Sequence, residues 1–99
     1  MINFIILMAK VHIVKTKNDS DFICYEVKNK FDADILVHYV DKSFDAKDDF
    51  LWYIEKNKSS ATSKIFWTES KHEADIKVCF VDKKFDAKWV KSNSSRGRL

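Results

Sequence analysis

The stretch Val81-Asp82-Lys83-Lys84-Phe85-Asp86-Ala87-Lys88 repeats, with one substitution, the earlier stretch Val40-Asp41-Lys42-Ser43-Phe44-Asp45-Ala46-Lys47. Each stretch follows a short apolar run in which β-branched and aromatic residues dominate, as strands favour. Neither contains glycine or proline, although each separates two apolar runs as a corner would. A strand that ends in a recurring corner is typical of a repeat protein, and the rest of the chain carries further copies.

Six copies become visible when the chain is aligned on one small residue of the corner. This residue is a serine or an alanine, at Ser20, Ala33, Ala46, Ala61, Ala74 and Ala87. The spacings are 13, 13, 15, 13 and 13 residues, so a single period holds apart from two inserted residues, most simply Asp48 and Asp49.

Apolar residues in each copy recur at every second position, which is the period of a strand and not of a helix. Nine residues before the small residue stand Val11, Cys24, Val37, Trp52, Ile65 and Val78. Eight residues before it stand His12, Tyr25, His38, Tyr53, Phe66 and Cys79, so the second face of the strands is also partly covered. The sequence therefore predicts an all-β domain of short strands in six degenerate 13-residue repeats.

The corner itself combines an acidic residue with the small residue that follows it. We expect the acids to accept hydrogen bonds from backbone N–H groups just ahead of them and so to form turns without glycine; they are Asp19, Asp32, Asp45, Glu73 and Asp86. We expect the alanines to allow close approach of another segment; they are Ala33, Ala46, Ala61, Ala74 and Ala87. The phenylalanine that precedes the acid in three copies is expected to enter the core, and the lysine before it to face solvent.

The charge balance gives little support to binding of nucleic acid or of an anionic membrane. The chain has a net charge of +3, but both arginines, Arg96 and Arg98, lie in its last four residues. Without them, 16 lysines face 15 acidic residues, which leaves a net charge of only +1. The two cysteines, Cys24 and Cys79, are too few for a disulfide scaffold and are expected to be buried thiols in a reducing, cytoplasmic compartment.

One domain is expected over residues 10–91. Residues 1–9 form an N-terminal extension, which is either flexible or an extra strand, and Met8 is an alternative start of the chain. Residues 92–99 change abruptly in composition and are expected to be a flexible tail or residues derived from an expression vector. The apolar opening of the chain is much shorter than the ~20 residues that span a bilayer.

The two quoted stretches resemble the repeated V-D-S-R-Y-D-A-D unit of the septoil-knot domain family, a group of short bacterial and phage proteins of unknown function. The resemblance covers Val11 to Trp89, with Phe in place of Tyr, Lys in place of Arg, and a fourth copy, Ser59–Thr62, that lacks both the aromatic residue and the acid. It implies short strands wound twice about a common axis into a knot with seven crossings. The repeat alone leaves a small solenoid or a closed barrel as alternatives.

Groups able to bind metals or nucleic acids are present, but structural roles account for them. The acid pairs Asp19/Asp21, Asp32/Asp34 and Asp48/Asp49 lack the glycine of a calcium loop, and the histidines and cysteines show no ligand spacing. His12 and His38 occupy the same strand position two copies apart and are interpreted as structural. Trp52 and Trp67 fall at apolar strand positions, which favours the core over a platform for stacking bases.

The sequence therefore predicts a compact, non-catalytic structural or interaction module, monomeric and kinetically stable, with no cofactor and no metal site. The alternative hypothesis is a weak binder of single-stranded nucleic acid or of cations. No partner is specified by the residues themselves, and no membrane association is expected.

Overall fold

A computed structural model describes residues 9–93, Gly97 and Leu99. Within these residues seven strands alternate with short 3-10 turns. The strands are β1 (Ala9–Ile13), β2 (Phe22–Glu26), β3 (Ile35–Tyr39), β4 (Leu51–Ile54), β5 (Ser63–Trp67), β6 (Ile76–Phe80) and β7 (Lys88–Trp89). The turns, here called corners 1 to 6, are Lys17–Asp19, Lys30–Asp32, Ser43–Asp45, Lys58–Ser60, Lys71–Glu73 and Lys84–Asp86.

Six of the strands form a closed barrel. The order around it is β4-β1-β5-β2-β6-β3, with every neighbouring pair parallel, and pairing of β3 with β4 closes the sheet. The two-residue β7 adds to the outside of β3 in the antiparallel direction. The predicted all-β class is confirmed, and the closed barrel is observed in place of a solenoid.

The chain winds about the barrel axis twice. On the first circuit it lays down β1, β2 and β3 with a gap between each, and on the second circuit β4, β5 and β6 fill those gaps. At five of the six barrel pairings the partners are 43 or 52 residues apart, for example Phe22 with Ile65 and Cys24 with Ile76, whereas at the closing pair β3–β4 they are 13 residues apart. Nearly all strand pairing is therefore non-local.

The stagger between neighbouring strands is uniform. In the repeat alignment each strand is displaced by two residues from the next, at every pair including the closing one. A displacement of two residues preserves the alternation of faces, because side chains reverse direction at every residue. Inward side chains consequently meet inward side chains all the way around.

The alternation divides the apolar residues between the two faces of the sheet. One cluster fills the barrel and contains Val11, Cys24, Val37, Trp52, Ile65 and Val78, the residues nine before the small residue. A second cluster, which includes Leu36, Leu51, Cys79 and Val81, covers part of the outer face. The strands are thus partly buried on both faces, as the sequence predicted.

Each corner is held by its own backbone. In all six copies the small residue donates its N–H to the carbonyl of the first turn residue, at 3.1–3.3 Å, and the last turn residue donates to the carbonyl that precedes the turn, at 3.0–3.3 Å. Among the described residues only Gly97 has a positive φ. The corners therefore need no glycine, because a 3-10 turn lies within the range that any L-residue adopts.

The residue after the small residue binds a strand of the other circuit at two points. Asp34 donates its N–H to the Lys77 carbonyl at 2.8 Å and accepts the Lys77 N–H on its carboxylate at 2.8 Å. The same two-point contact, here called a clamp, is made by three other residues with their partners: Asp21 with Lys64, Thr62 with Lys10, and Asp75 with Ile23. In each clamp a side-chain oxygen replaces a ladder carbonyl where the strand begins.

The structure describes the two ends of the chain only in part. Ala9 is buried and begins β1, whereas residues 1–8 of the expected extension lie outside the described residues. Leu99, assigned to a flexible tail, is only 5% exposed and packs in the barrel cluster. Residues 94–96 and 98 of the expected tail lie outside the described residues, so the tail over residues 92–99 stays a prediction.

Candidate interaction surface on the corner ring

The corners form a ring whose order follows the strands and not the chain. Because each corner extends the end of one strand, the barrel order places them as 4-1-5-2-6-3. Two ion pairs join neighbours in this order: Lys58 Nζ lies 3.9 Å from Asp19 of corner 1, and Lys17 Nζ lies 2.7 Å from Glu73 of corner 5. The ring therefore pairs a lysine of one corner with the acid of the next.

On the other side of the ring, two open grooves also bring together a lysine of one corner and the acid of the next corner. A groove of about 210 Å³ is lined by Lys30 of corner 2 and by Asp86 of corner 6. A second groove, of about 310 Å³, is lined by Lys84 of corner 6 and by Asp45 of corner 3. Each groove thus contains both signs of charge.

The winding collects the corner phenylalanines on one side of the ring. They belong to corners 2, 3 and 6, and corner 6, which is distant from the other two along the chain, lies between them in the ring. Phe31 is 87% exposed, Phe85 94% and Phe44 60%. The expectation that these side chains enter the core is wrong, because the 3-10 turn directs its middle residue away from the barrel, whose interior is already filled by strand residues. We call this surface the Phe face.

The other half of the ring is polar at the same position. Corners 4, 1 and 5 carry Ser59, Asn18 and His72 where the Phe face carries phenylalanine, and all three side chains are exposed. The same fold position therefore accepts polar residues, so the phenylalanines are not required by the turn.

The structure places all five predicted corner acids at the last residue of a 3-10 turn. Asp19 accepts from the Thr16 hydroxyl at 3.1 Å, and hydrogen bonds from Lys17 and Thr68 hold the pKa of Glu73 below its ordinary value. Within the described part of the chain the carboxylates of Asp32, Asp45 and Asp86 accept no hydrogen bond, so the expected side-chain turn contact is absent there. The clamp acids two residues later make the structural contacts instead.

The corner alanines divide into two groups. Ala33, Ala46 and Ala87 are buried, as close approach of another segment requires, whereas Ala61 and Ala74 are only half-buried. The burial follows the second apolar cluster, which contains Ala33 and Ala87.

The candidate metal and nucleophile residues lie apart. His12 and His38 donate from Nδ1 to the carbonyls of Glu55 and Val81, at 2.8 and 3.1 Å, so each fixes a different strand end. Both cysteines are buried and outside any disulfide, and burial, with a smaller contribution from the Asp75 charge, raises the pKa of the Cys24 thiol to about 12. No three side chains of the His, Cys, Asp or Glu type converge as metal ligands among the residues that the structure describes.

The tryptophans pack mainly inside the protein. Trp52 lies fully buried in the barrel, which removes it as a platform for stacking bases. Trp67 is half-buried against the same core, with its ring centroid 6.2 Å from that of Trp52.

The helical segments within the described residues are three-residue turns, none of them long or apolar enough to cross a membrane.

Sequence reasoning missed the role of the inserted Asp49. Its buried carboxylate accepts from Trp89 Nε1 at 2.9 Å, from the Leu99 N–H at 3.2 Å and from the Gly97 N–H. Its carbonyl accepts from Trp52 Nε1 at 2.6 Å. The only signal in the sequence was the two-residue departure from the period, which marked the position without its partners.

A family model described as the 7(1) septoil knot domain matches residues 8–90, which is most of the chain. No curated protein and no solved structure matches this chain.

Proposed function

This chain belongs to the septoil-knot domain family, and from that premise we propose that it is a non-catalytic interaction module that pairs with a second copy of itself through the Phe face. The observation that carries the proposal is the exposure of Phe31, Phe85 and Phe44 on three consecutive corners. Together they expose roughly 500 Å² of aromatic surface, taking about 200 Å² for a whole phenylalanine. Exposed apolar patches of this size commonly mark interaction sites.

The charges around the phenylalanines favour a second copy as the partner. Corners 2 and 6 both read Lys-Phe-Asp, at 30–32 and 84–86. When two such corners meet antiparallel, phenylalanine faces phenylalanine and each lysine faces an aspartate, which satisfies the self-complementarity of a twofold interface. The near-equal numbers of lysines and aspartates along the three corners leave little net repulsion between copies.

The size of the patch sets the expected affinity. Typical stable interfaces bury about 800 Å² on each partner, so the Phe face would form the apolar centre and the flanking lysines and aspartates the rim. We expect a dissociation constant in the micromolar range. This proposal replaces the monomer expected from the sequence. It treats the double-wound barrel as a rigid scaffold for the corners, and the family implies that this barrel is knotted.

Sedimentation velocity over about 1 µM to about 1 mM tests the proposal, since this range brackets a micromolar constant. The matched variant carries two substitutions, Phe85→Asn and Asn18→Phe. It keeps the amino-acid composition and moves one phenylalanine to the opposite side of the ring. We expect wild type to dimerise, and the exchange to weaken dimerisation at least tenfold while the melting temperature stays unchanged. A wild-type protein that remains monomeric, or an exchange variant that dimerises equally well, would refute the proposed function.

A further inference from the structure

A surface cavity of about 460 Å³, open to solvent, lies where β2 and β5 end. It is lined by Tyr25, Glu26, Trp67, Thr68 and Glu69. The Trp67 ring packs with the barrel cluster, whereas Tyr25 packs against the outer cluster, so the two rings lie on different faces of the sheet. Two of the lining residues supply carboxylates, and no lysine lines the cavity. The two charged grooves on the Phe face differ in this respect, because each contains lysine and aspartate together.

The walls of this cavity are held by packing and hydrogen bonds. The Trp67 ring lies 5.7 Å from Phe80 and 6.2 Å from Trp52, measured between centroids. Thr68 is buried, donates its hydroxyl to Glu73 at 3.0 Å and accepts the Ser70 N–H at 3.0 Å. The aromatic surface is thus in place before any ligand arrives, which lowers the entropic cost of binding.

The carboxylates of Glu26 and Glu69 make no hydrogen bond or ion pair with any residue that the structure describes. Both side chains are exposed and free to move toward a ligand. The negative charge of Glu26 also reaches the neighbouring phenol, because burial first and this carboxylate second raise the pKa of Tyr39 to about 12. Glu26 and Glu69 are the charged residues of the cavity lining, and no lysine in that lining offsets them.

We propose that this cavity binds an organic ammonium cation, with the Trp67 ring against its alkyl groups and Glu26 and Glu69 balancing its charge. An aromatic ring with nearby carboxylates suits such a cation because the ring face is electronegative and the alkyl groups are weakly hydrated. A divalent metal ion fits less well, since it prefers six or more oxygen ligands. The site is independent of the Phe face and of the dimer proposed above.

Titration with tetramethylammonium chloride tests this site, with tert-butanol as a neutral molecule of similar shape and sodium chloride as the ionic-strength control. Binding is followed by tryptophan fluorescence and by the indole N–H signals in NMR spectra. We expect a saturable, millimolar interaction that shifts the Trp67 indole, while tert-butanol and sodium chloride produce no saturable change. A parallel titration with n-butylammonium distinguishes a quaternary amine from a cation like an unmodified lysine side chain.

The matched variants are Glu69→Gln and Asp82→Asn, because these two acids occupy the same position of the repeat and only the first lines the cavity. We expect Glu69→Gln to weaken binding at least threefold and Asp82→Asn to leave it unchanged. Equal effects of the two substitutions, or tert-butanol binding as well as both ammonium ions, would overturn the assignment. Neither result depends on the oligomeric state of the protein.

Discussion

The clamp between Asp34 and Lys77 makes Asp34→Ala the most informative single substitution. The carboxylate accepts the Lys77 N–H at 2.8 Å from a half-buried position and joins β6 to the segment that begins β3. The matched control is Asp32→Ala on the same corner, whose exposed carboxylate makes no hydrogen bond within the described residues. Both substitutions remove one negative charge, so their difference isolates the clamp.

The magnitude follows from the geometry. A hydrogen bond to a charged acceptor contributes about 1.5–3 kcal/mol, and partial exposure lets water reach the freed Lys77 N–H, so we expect a loss of about 1.5–2 kcal/mol for Asp34→Ala. In a domain of this size that corresponds to a fall in melting temperature of roughly 6–16 °C. Asp34→Asn keeps an acceptor oxygen and should recover part of the loss, whereas Asp32→Ala should cost less than about 0.5 kcal/mol.

Urea denaturation is the assay, with samples approached from both the folded and the unfolded side until the curves coincide. A loss for Asp32→Ala as large as that for Asp34→Ala would show that the corner acid holds the turn, and that the clamp contributes nothing specific. Equal stability of all three variants and wild type would mean that water replaces the carboxylate at no cost.

Four further predictions concern the ends, the corners and the winding. Ala33→Leu should cost about 1–3 kcal/mol by overpacking a buried position, and Ala74→Leu, at a half-buried one, clearly less; thermal melts that rank them the other way would contradict the assignment of close contacts. Leu99→Ser should cost about 1.5–3 kcal/mol through lost burial, and a melt unchanged from wild type would show that the chain end does not dock. Burial, and then Glu26 and Cys24, raise the pKa of the Tyr39 phenol in the folded protein to about 12. The resulting stability should be complete below pH 10 and lost as the pH rises through 12. Spectrophotometric titration of wild type against Tyr39→Phe checks this, and a phenol that titrates near pH 10 would contradict it. Because almost all strand partners are distant in sequence, unfolding and refolding should be slow for a domain of this size. Chemical labelling of the buried Cys24 thiol under denaturing conditions should therefore take minutes or longer. Labelling within milliseconds would argue against the wound topology.

Much of the fold could be predicted from the sequence because the repeat is local. The alternation in a copy such as Ile76–Phe80 fixes which side chains share a face, and the recurring corner fixes where each strand ends. The corner phenylalanines were assigned wrongly because hydrophobicity suggests burial, whereas exposure depends on whether the barrel still has room. The clamp acids, for example Asp34, were visible in the alignment, but their partners lie too far along the chain for any local pattern to indicate them.

Local patterns are enough to place the six repeated strands, the six corners, the two faces and the insertion, since each depends on neighbours within one 13-residue period. Which copies lie side by side depends on the path of the whole chain. Similar copies can satisfy one another's backbone groups in many orders, and the choice of β5 between β1 and β2 comes from double winding with a constant two-residue stagger. That choice places Phe31, Phe85 and Phe44 on one face and Glu26 beside Trp67, because adjacency around a closed barrel is a property of the whole chain path and not of any segment of it.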